Sequence, residues 1–295
     1  MKPKKILFHT RFRDMALEAL LSLLELKRVG LKEVVLTFVI PRDEVAFVPY
    51  GGYLKDHENE IREQVALRFK PWQEALAARD VAATVRIEVG MDNAVLLAVA
   101  EQENVDLIVT GRKKRTLMER VYVGTHILDL ARRSPVPILM HKVMAEYEDE
   151  GRVQTRINDR PFAKPMLATD WSKPSFNALN AVIALKGLTD RAVVAHVIGV
   201  KISKGLDSDQ LDVLRQESKA RLAGYGRQLE QAGIRAETVL SEGRTAAQII
   251  HLSRQHQASM IVLGRTGKDW LREYFLGGVS HRVAENSELP VLLVP

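Results

Sequence analysis

A repeat at one fixed offset constrains this chain more than any single motif. A shift of 153 residues carries Gly90 onto Gly243, Ile108 onto Ile261, Val109 onto Val262, Gly111 onto Gly264 and Arg112 onto Arg265. The same shift carries Gly124 onto Gly277, Ala131 onto Ala284 and Pro137 onto Pro290, with no insertion between matches. A repeat of this length is the size of a whole domain, so the fold must be one that half the chain can build twice.

Within each copy, apolar runs of strand length alternate with segments of helical period. In the first copy strands are expected at 5–10, 34–40, 83–89, 106–110 and 136–140, with helices at 14–27, 58–78, 93–102 and 117–132. In the second the strands fall at 166–170, 192–198, 236–240, 259–263 and 290–294, and the helices at 174–185, 208–231, 245–255 and 271–284. Strands separated by helices form parallel sheets covered on both faces, and such strands read as continuous apolar runs. The expectation is an α/β chain of two tandem, doubly wound, five-stranded parallel sheets, with domains at 1–145 and 160–295. The connection at 141–163 carries Glu146, Glu148, Asp149, Glu150 and Arg152 around Gly151. It reads as a solvated linker or as a segment crossing an interface between the halves.

Composition narrows the chemistry. Hydrophobic residues make up 46% of the 295, enough for two proper cores. The absence of cysteine excludes disulfides, thiolate catalysis and cysteine metal sites. The basic start Met1-Lys2-Pro3-Lys4-Lys5 is followed by an apolar run only a strand long, broken by Arg11 and Arg13. Neither a secretory leader nor a membrane span is legible, and a soluble cytoplasmic protein is expected. The net charge of +6 is spread along the chain apart from Arg112-Lys113-Lys114-Arg115. With no zinc-finger spacing and no aromatic RNA-binding motif beside it, no nucleic-acid partner is expected.

The sharpest chemical signal lies near the C-terminus. A short apolar run, 261–263, is followed by Gly264-Arg265-Thr266-Gly267, nine residues, and Gly277-Gly278-Val279-Ser280. Glycine-rich turns between a strand and a helix present backbone N–H groups to an anion. The Gly264-to-Lys268 stretch is too short for a P-loop, and no Ser or Thr follows Lys268.

This spacing resembles the signature of the universal stress protein family: G-x-x-G, nine residues, then glycine, a hydroxyl residue, any residue and serine. Gly264, Gly267, Gly277 and Ser280 match it, while Gly278 stands where the family prefers a hydroxyl. The resemblance covers almost the whole chain, as two copies of the family's domain. It implies an adenine nucleotide alpha hydrolase-like fold, strand order 3-2-1-4-5, and a stress-response regulator that binds ATP or another adenine nucleotide, with Mg as a companion ion. Carried over residue by residue, Thr169 and Asp170 lie at the base end and the Val197 backbone meets the base. Gly264, Arg265, Gly267, Gly277, Gly278, Val279 and Ser280 surround the phosphates. The bland readings stand beside these: Asp170 can cap the following helix, Arg265 and Lys268 can be surface residues, and His281 can face solvent.

In the first copy Thr10 is aligned with Asp170 and Lys114 replaces the second glycine, leaving Gly111, Gly124 and Thr125 of a degenerate site. Asp269 and Glu273 fit no catalytic signature, so no catalytic residue is assigned. A slow ATP hydrolase and a ligand-free interaction module are the alternatives. The last strands, 136–140 and 290–294, would be apolar sheet edges, and pairing them would make an intramolecular pseudo-dimer. The aromatic loop 45–53 reads as a packing surface or a lid. It and the basic cluster are the candidate contacts of a homodimer.

Overall fold

The computed structural model describes residues 2–13, 15–47, 52–113, 125–147, 153–156, 158–265 and 278–295. The first unit runs β1 (Lys5–His9), α1 (Ala16–Ser22) with a 3-10 helix behind it (Leu23–Val29), β2 (Glu33–Pro41), and the short α2 (Arg42–Val45). A small antiparallel pair follows, β3 (Ala46–Phe47) and β4 (Gly52–Tyr53), then α3 (Lys55–Ala77) and β5 (Ala82–Gly90). The unit closes with α4 (Asp92–Gln102), β6 (Leu107–Lys113), α5 (Thr125–Arg133) and β7 (Ile138–Tyr147), and β8 (Val153–Arg156) follows it. The second unit contains β9 (Pro165–Ala168), α6 (Lys173–Ala184), β10 (Arg191–Gly199), α7 (Val200–Ser203) and α8 (Ser208–Gln231). It ends with β11 (Arg235–Gly243), α9 (Thr245–Gln255), β12 (Met260–Gly264), α10 (Gly278–Asn286) and β13 (Val291–Val294).

All ten expected strands form, and they make one sheet ordered β11-β10-β9-β12-β13-β7-β6-β1-β2-β5. Read inward from its outer edge to the middle, each half has the order 3-2-1-4-5 and every pairing of these strands within a half is parallel. The two halves meet where β13 pairs antiparallel with β7, setting Val291 beside Met140, Leu292 beside Leu139 and Leu293 beside Ile138. All six side chains are buried. Burying an aliphatic side chain is worth about 1.5–3 kcal/mol, so this seam covers two apolar edges that would otherwise invite association.

Strand alternation sorts the apolar residues into two layers, and both cross the seam. Ile6, Phe8, Leu139, Leu167 and Leu292 join one cluster, while Leu7, Ile138, Met140, Met166, Val291 and Leu293 join the other. Successive strand residues face opposite sides of a sheet, so each layer packs under its own set of helices.

Two expectations need correction. The stretch after Met140 is not a plain linker. β7 runs on to Tyr147 and pairs antiparallel with β8, Met144 opposite Arg156 and Tyr147 opposite Val153. Backbone ladder bonds hold this ribbon, so its charged residues did not betray a strand. Beyond it, Phe162 is buried, with its N–H directed at Glu25 Oε1 at 3.4 Å and its carbonyl accepting from Thr189 Oγ1 at 2.6 Å. That end of the connection does cross an interface. Burial raises the pKa of Glu25.

The second correction concerns strand 1. β1 pairs with β6 so that His9 lies beside Thr110, and β9 pairs with β12 so that Ala168 lies beside Leu263. Thr110 and Leu263 are equivalent in the repeat, so His9 corresponds to Ala168 and Thr10 to Thr169. Arg11, not Thr10, therefore takes the place of Asp170. The loop hydrogen bonds agree: Phe12 N–H donates to Thr10 Oγ1 at 2.9 Å, and Trp171 N–H to Thr169 Oγ1 at 3.1 Å.

Candidate functional site

The candidate site is built at the C-terminal ends of β9, β10 and β12. The neighbours of β9 are β10 on one side and β12 on the other, so chain connections leave in opposite directions there. In open parallel sheets such a switch point is where ligands bind.

The base end is organised by a tight turn. Trp171 takes a left-handed backbone conformation, φ +69, which a large residue adopts only where the surroundings hold it. Three interactions do so: its N–H bond to Thr169 Oγ1, a tilted ring contact with His196 at 4.6 Å, and an edge contact with Tyr225 at 5.4 Å. His196 adds a hydrogen bond between Nδ1 and the Thr169 carbonyl at 2.7 Å, which fixes Nδ1 as the donor. Ser172 caps α6, its Oγ accepting from Ser175 N–H at 3.3 Å. The Ser175 hydroxyl donates to the Ser172 carbonyl at 2.9 Å, so the Thr169 hydroxyl is the donor in its 3.0 Å contact with Ser175 Oγ.

Asp170 is half-buried in this turn. Its Oδ1 accepts from Ser172 N–H at 3.1 Å and from the Ser172 hydroxyl at 2.6 Å. The capping reading of this carboxylate is thus realised, and Oδ2 keeps its lone pairs among the described residues. Beside it, β10 outruns β9. Thr169 N–H donates to the Ala195 carbonyl at 2.9 Å. Main-chain N–H and C=O of one strand residue point the same way and alternate along the strand. Val197, two residues on, therefore aims both groups into the gap that β9 vacates.

At the phosphate end, the structure gives Gly264 a packing reason. A Cβ there would lie 2.7 Å from Ser175 N and 2.8 Å from the Pro174 carbonyl carbon, so only glycine lets the first turn of α6 come this close. At Gly111, its counterpart, a Cβ would meet nothing within 4 Å. Ser280 is buried and donates its hydroxyl proton to the Gly264 carbonyl at 2.8 Å, tying the start of α10 to the end of β12. Gly278 and Val279 are exposed at that helix start, and Gly278 has open space around it. Arg265 turns the other way. Its guanidinium donates to the Ser134 carbonyl and reaches the Ala131 carbonyl at 3.5 Å, both at the end of α5 in the first unit. Gly267, Gly277, Lys268, Asp269 and Glu273, with Lys114 and Gly124 of the first unit, lie outside the described residues.

The first unit copies this scaffold and changes its chemistry. Phe12 has φ +51, stacks on Phe38 at 5.7 Å and meets Trp72 edge-on at 5.4 Å, repeating Trp171, His196 and Tyr225. Arg68 covers Phe12 at 4.1 Å as Arg221 approaches Trp171 at 5.9 Å. In place of a carboxylate, Arg11 Nη2 donates to both oxygens of Asp92, at 2.9 and 3.0 Å. This bridge runs from the end of β1 to the start of α4, across the end of β2. Sequence reasoning missed the aromatic turn in both units. The visible signal was an aromatic two residues after a threonine at each strand-1 end, Thr10-Arg11-Phe12 and Thr169-Asp170-Trp171.

Among the described residues no group of three metal-type ligands gathers, and no helix is long and apolar enough to cross a membrane.

Comparison with known proteins agrees with this architecture. The universal stress protein family model matches twice, over residues 2–142 and 162–295. A universal stress protein of Methanocaldococcus jannaschii is 30% identical over 145 residues, 47% of this chain and 85% of its own length. One from Bacillus subtilis is 30% identical over 146 residues, 45% of this chain and 99% of its own. The crystal structure of a universal stress protein from Archaeoglobus fulgidus superimposes with a TM-score of 0.73 at 19% identity, covering 100% of this chain and 96% of that one. The chain belongs to the universal stress protein family as a tandem member, two family domains in one polypeptide.

Proposed function

We propose that this protein is a stress-response regulator that binds one adenine nucleotide, ATP being the first candidate, at the switch point of its second unit. The observation that carries the reading is the contrast at the strand-1 ends. In the second unit a carboxylate with a spare oxygen, Asp170, stands beside main-chain groups of Val197 that are unpaired among the described residues. In the first unit an arginine locked to Asp92 occupies the same place. The carboxylate and carbonyl accept from the exocyclic amine of an adenine and the Val197 N–H donates to a ring nitrogen, the donor and acceptor pattern that base edge requires. Gly264, Gly267, Gly277, Gly278, Val279 and Ser280 are assigned to the phosphates, where the start of α10 adds partial positive charge. Mg would ride on those phosphates and need few protein ligands. Thr169 shapes the turn instead of touching ligand, and Arg265 is left out of the ligand shell.

Cytoplasmic residence and a homodimer belong to the same proposal, and light scattering decides the second. The nucleotide is tested by mass analysis of small molecules carried through purification, followed by calorimetry with ATP. The expected result is one site per chain, weakened in Asp170→Ala. A stoichiometry of two, or unchanged affinity in that variant, would place the ligand elsewhere. An empty protein that ignores ATP would favour the interaction module.

A further inference from the structure

Arg265 opens the candidate phosphate turn, yet both of its ends are spoken for elsewhere. Its N–H donates to the Val294 carbonyl at 2.7 Å, at the tail of the seam strand β13. Its guanidinium crosses the seam to the Ser134 and Ala131 carbonyls. Those carbonyls end α5, where the helix dipole concentrates partial negative charge. The side chain is part-buried, and its Nε is buried without a hydrogen-bond partner among the described residues. A decorative surface arginine would keep its head in water. This one gives up solvent to hold a neighbour's helix end. The repeat sets the same residue types on the other side of the seam, with Arg112, Ala284 and Ser287 at the positions of Arg265, Ala131 and Ser134.

The far end of α5 adds the second half of the argument. The helix starts at Thr125, directly after Gly124, the first unit's counterpart of Gly277. One nine-residue helix therefore runs from the residue after Gly124 to the carbonyls that Arg265 holds.

We propose that Arg265 is a positioning residue through which α5 of the first unit holds the end of β12 in the second, so that a ligand bound against Gly264 and Ser280 is felt at the end of α5. The functional half of this statement rests on the nucleotide reading above, while the tie itself does not. Coupling of this kind is reciprocal: what steadies α5 also favours ligand binding at the end of β12.

The test is amide hydrogen exchange on the full chain, with and without saturating MgATP, for the wild type, Arg265→Met and Arg265→Lys, beside calorimetry on the same proteins. In ligand-free Arg265→Met the amides of 130–136 should exchange about tenfold faster, a loss of about 1.4 kcal/mol in local stability. In the wild type MgATP should slow those same amides, in the other unit from the ligand, and in Arg265→Met that protection should vanish while affinity falls about fivefold. Arg265→Lys keeps the charge without the fork and should lie between the two. Unchanged exchange at 130–136 in ligand-free Arg265→Met overturns the tie. Lost affinity with unchanged ligand-free exchange also overturns it, since that is the mark of direct phosphate contact. Should the wild type bind no ATP, the nucleotide reading falls, and exchange in the ligand-free proteins still decides the tie.

Discussion

The two strand-1 ends share a backbone and differ in what they do with it. Both make the same threonine-anchored turn, both force an aromatic residue into a left-handed conformation, and both brace it with an edge-on ring from the long helix. On that common frame Asp170 keeps one carboxylate oxygen without a partner among the described residues, while Arg11 pairs with Asp92. The scaffold is therefore separable from the site. The aromatic turn is needed to end the strand and launch the helix in either unit, and the charge next to it is free to vary.

The same contrast extends to acid sensitivity, where the largest effect is expected. His9 and His141 are buried, and burial pushes each down to about 4, as nearby Arg11 and Arg13 also do for His9. Their counterparts in the second unit are Ala168 and Val294, which do not titrate. A histidine whose folded pKa lies below its unfolded value stabilises fully above about pH 6.5, and that stability is lost as pH falls toward 4. The loss is on the order of 3 kcal/mol per residue. Urea unfolding followed from pH 7.5 to 4.5 should show this slope, steepest in probes placed in the first unit. His141→Val, which copies the second unit, should remove about half of it. A flat profile would mean that these rings are not held neutral.

Next in size is the paired glycine experiment. Gly264→Ala drives a methyl into the backbone of Pro174 and Ser175 and should cost about 1–3 kcal/mol. Gly111→Ala enters open space and should shift stability by less than about 0.5 kcal/mol. Chemical denaturation of both variants measures the difference, and equal effects would refute the packing account of Gly264.

Ligand selectivity comes third. Asp170→Ala should weaken an adenine nucleotide about tenfold, near 1.4 kcal/mol, with a smaller loss for inorganic triphosphate. The graft Arg11→Asp with Asp92→Thr gives the first unit the second unit's pair of residues at these positions. It should still bind weakly, because Lys114 stands where the second unit has Gly267. Tight binding to the grafted unit in calorimetry would show that the strand-1 end alone decides. Smallest of all is Arg11→Ala. The Arg11–Asp92 bridge is part-exposed, so its loss should cost roughly 0.5 kcal/mol or less, fading as salt is raised.

Much of this fold was legible in advance. Runs such as Ile261-Val262-Leu263 and Leu292-Leu293-Val294 read as strands buried on both faces, the repeat gave the same succession of elements twice, and the strand order came with the family resemblance. Pairing of the two last strands followed from their apolar edges. The register of strand 1 was not legible, because matching Thr10 to Asp170 and matching Thr10 to Thr169 differ by one residue and only the ladder tells them apart. The β7–β8 ribbon escaped because main-chain bonds hold it in a stretch whose side chains look solvated. Arg265 escaped for another reason: a long flexible cation beside a glycine turn has many partners within reach. Sequence spacing names the turn, but not the helix end lying across the seam.

Because β7 and β13 pair within one polypeptide, their association has no concentration term. Two separate units joined by such a seam would part on dilution and, as products of one sequence, would carry identical sites. A tether holds its partner at an effective concentration of about millimolar or more whatever the abundance of the chain. It also lets a substitution fall on one half alone. The copy with Asp170 and the copy with Arg11 are made together, inherited together and present in a fixed ratio of one to one. In that sense the chain is a heterodimer that never has to find its partner.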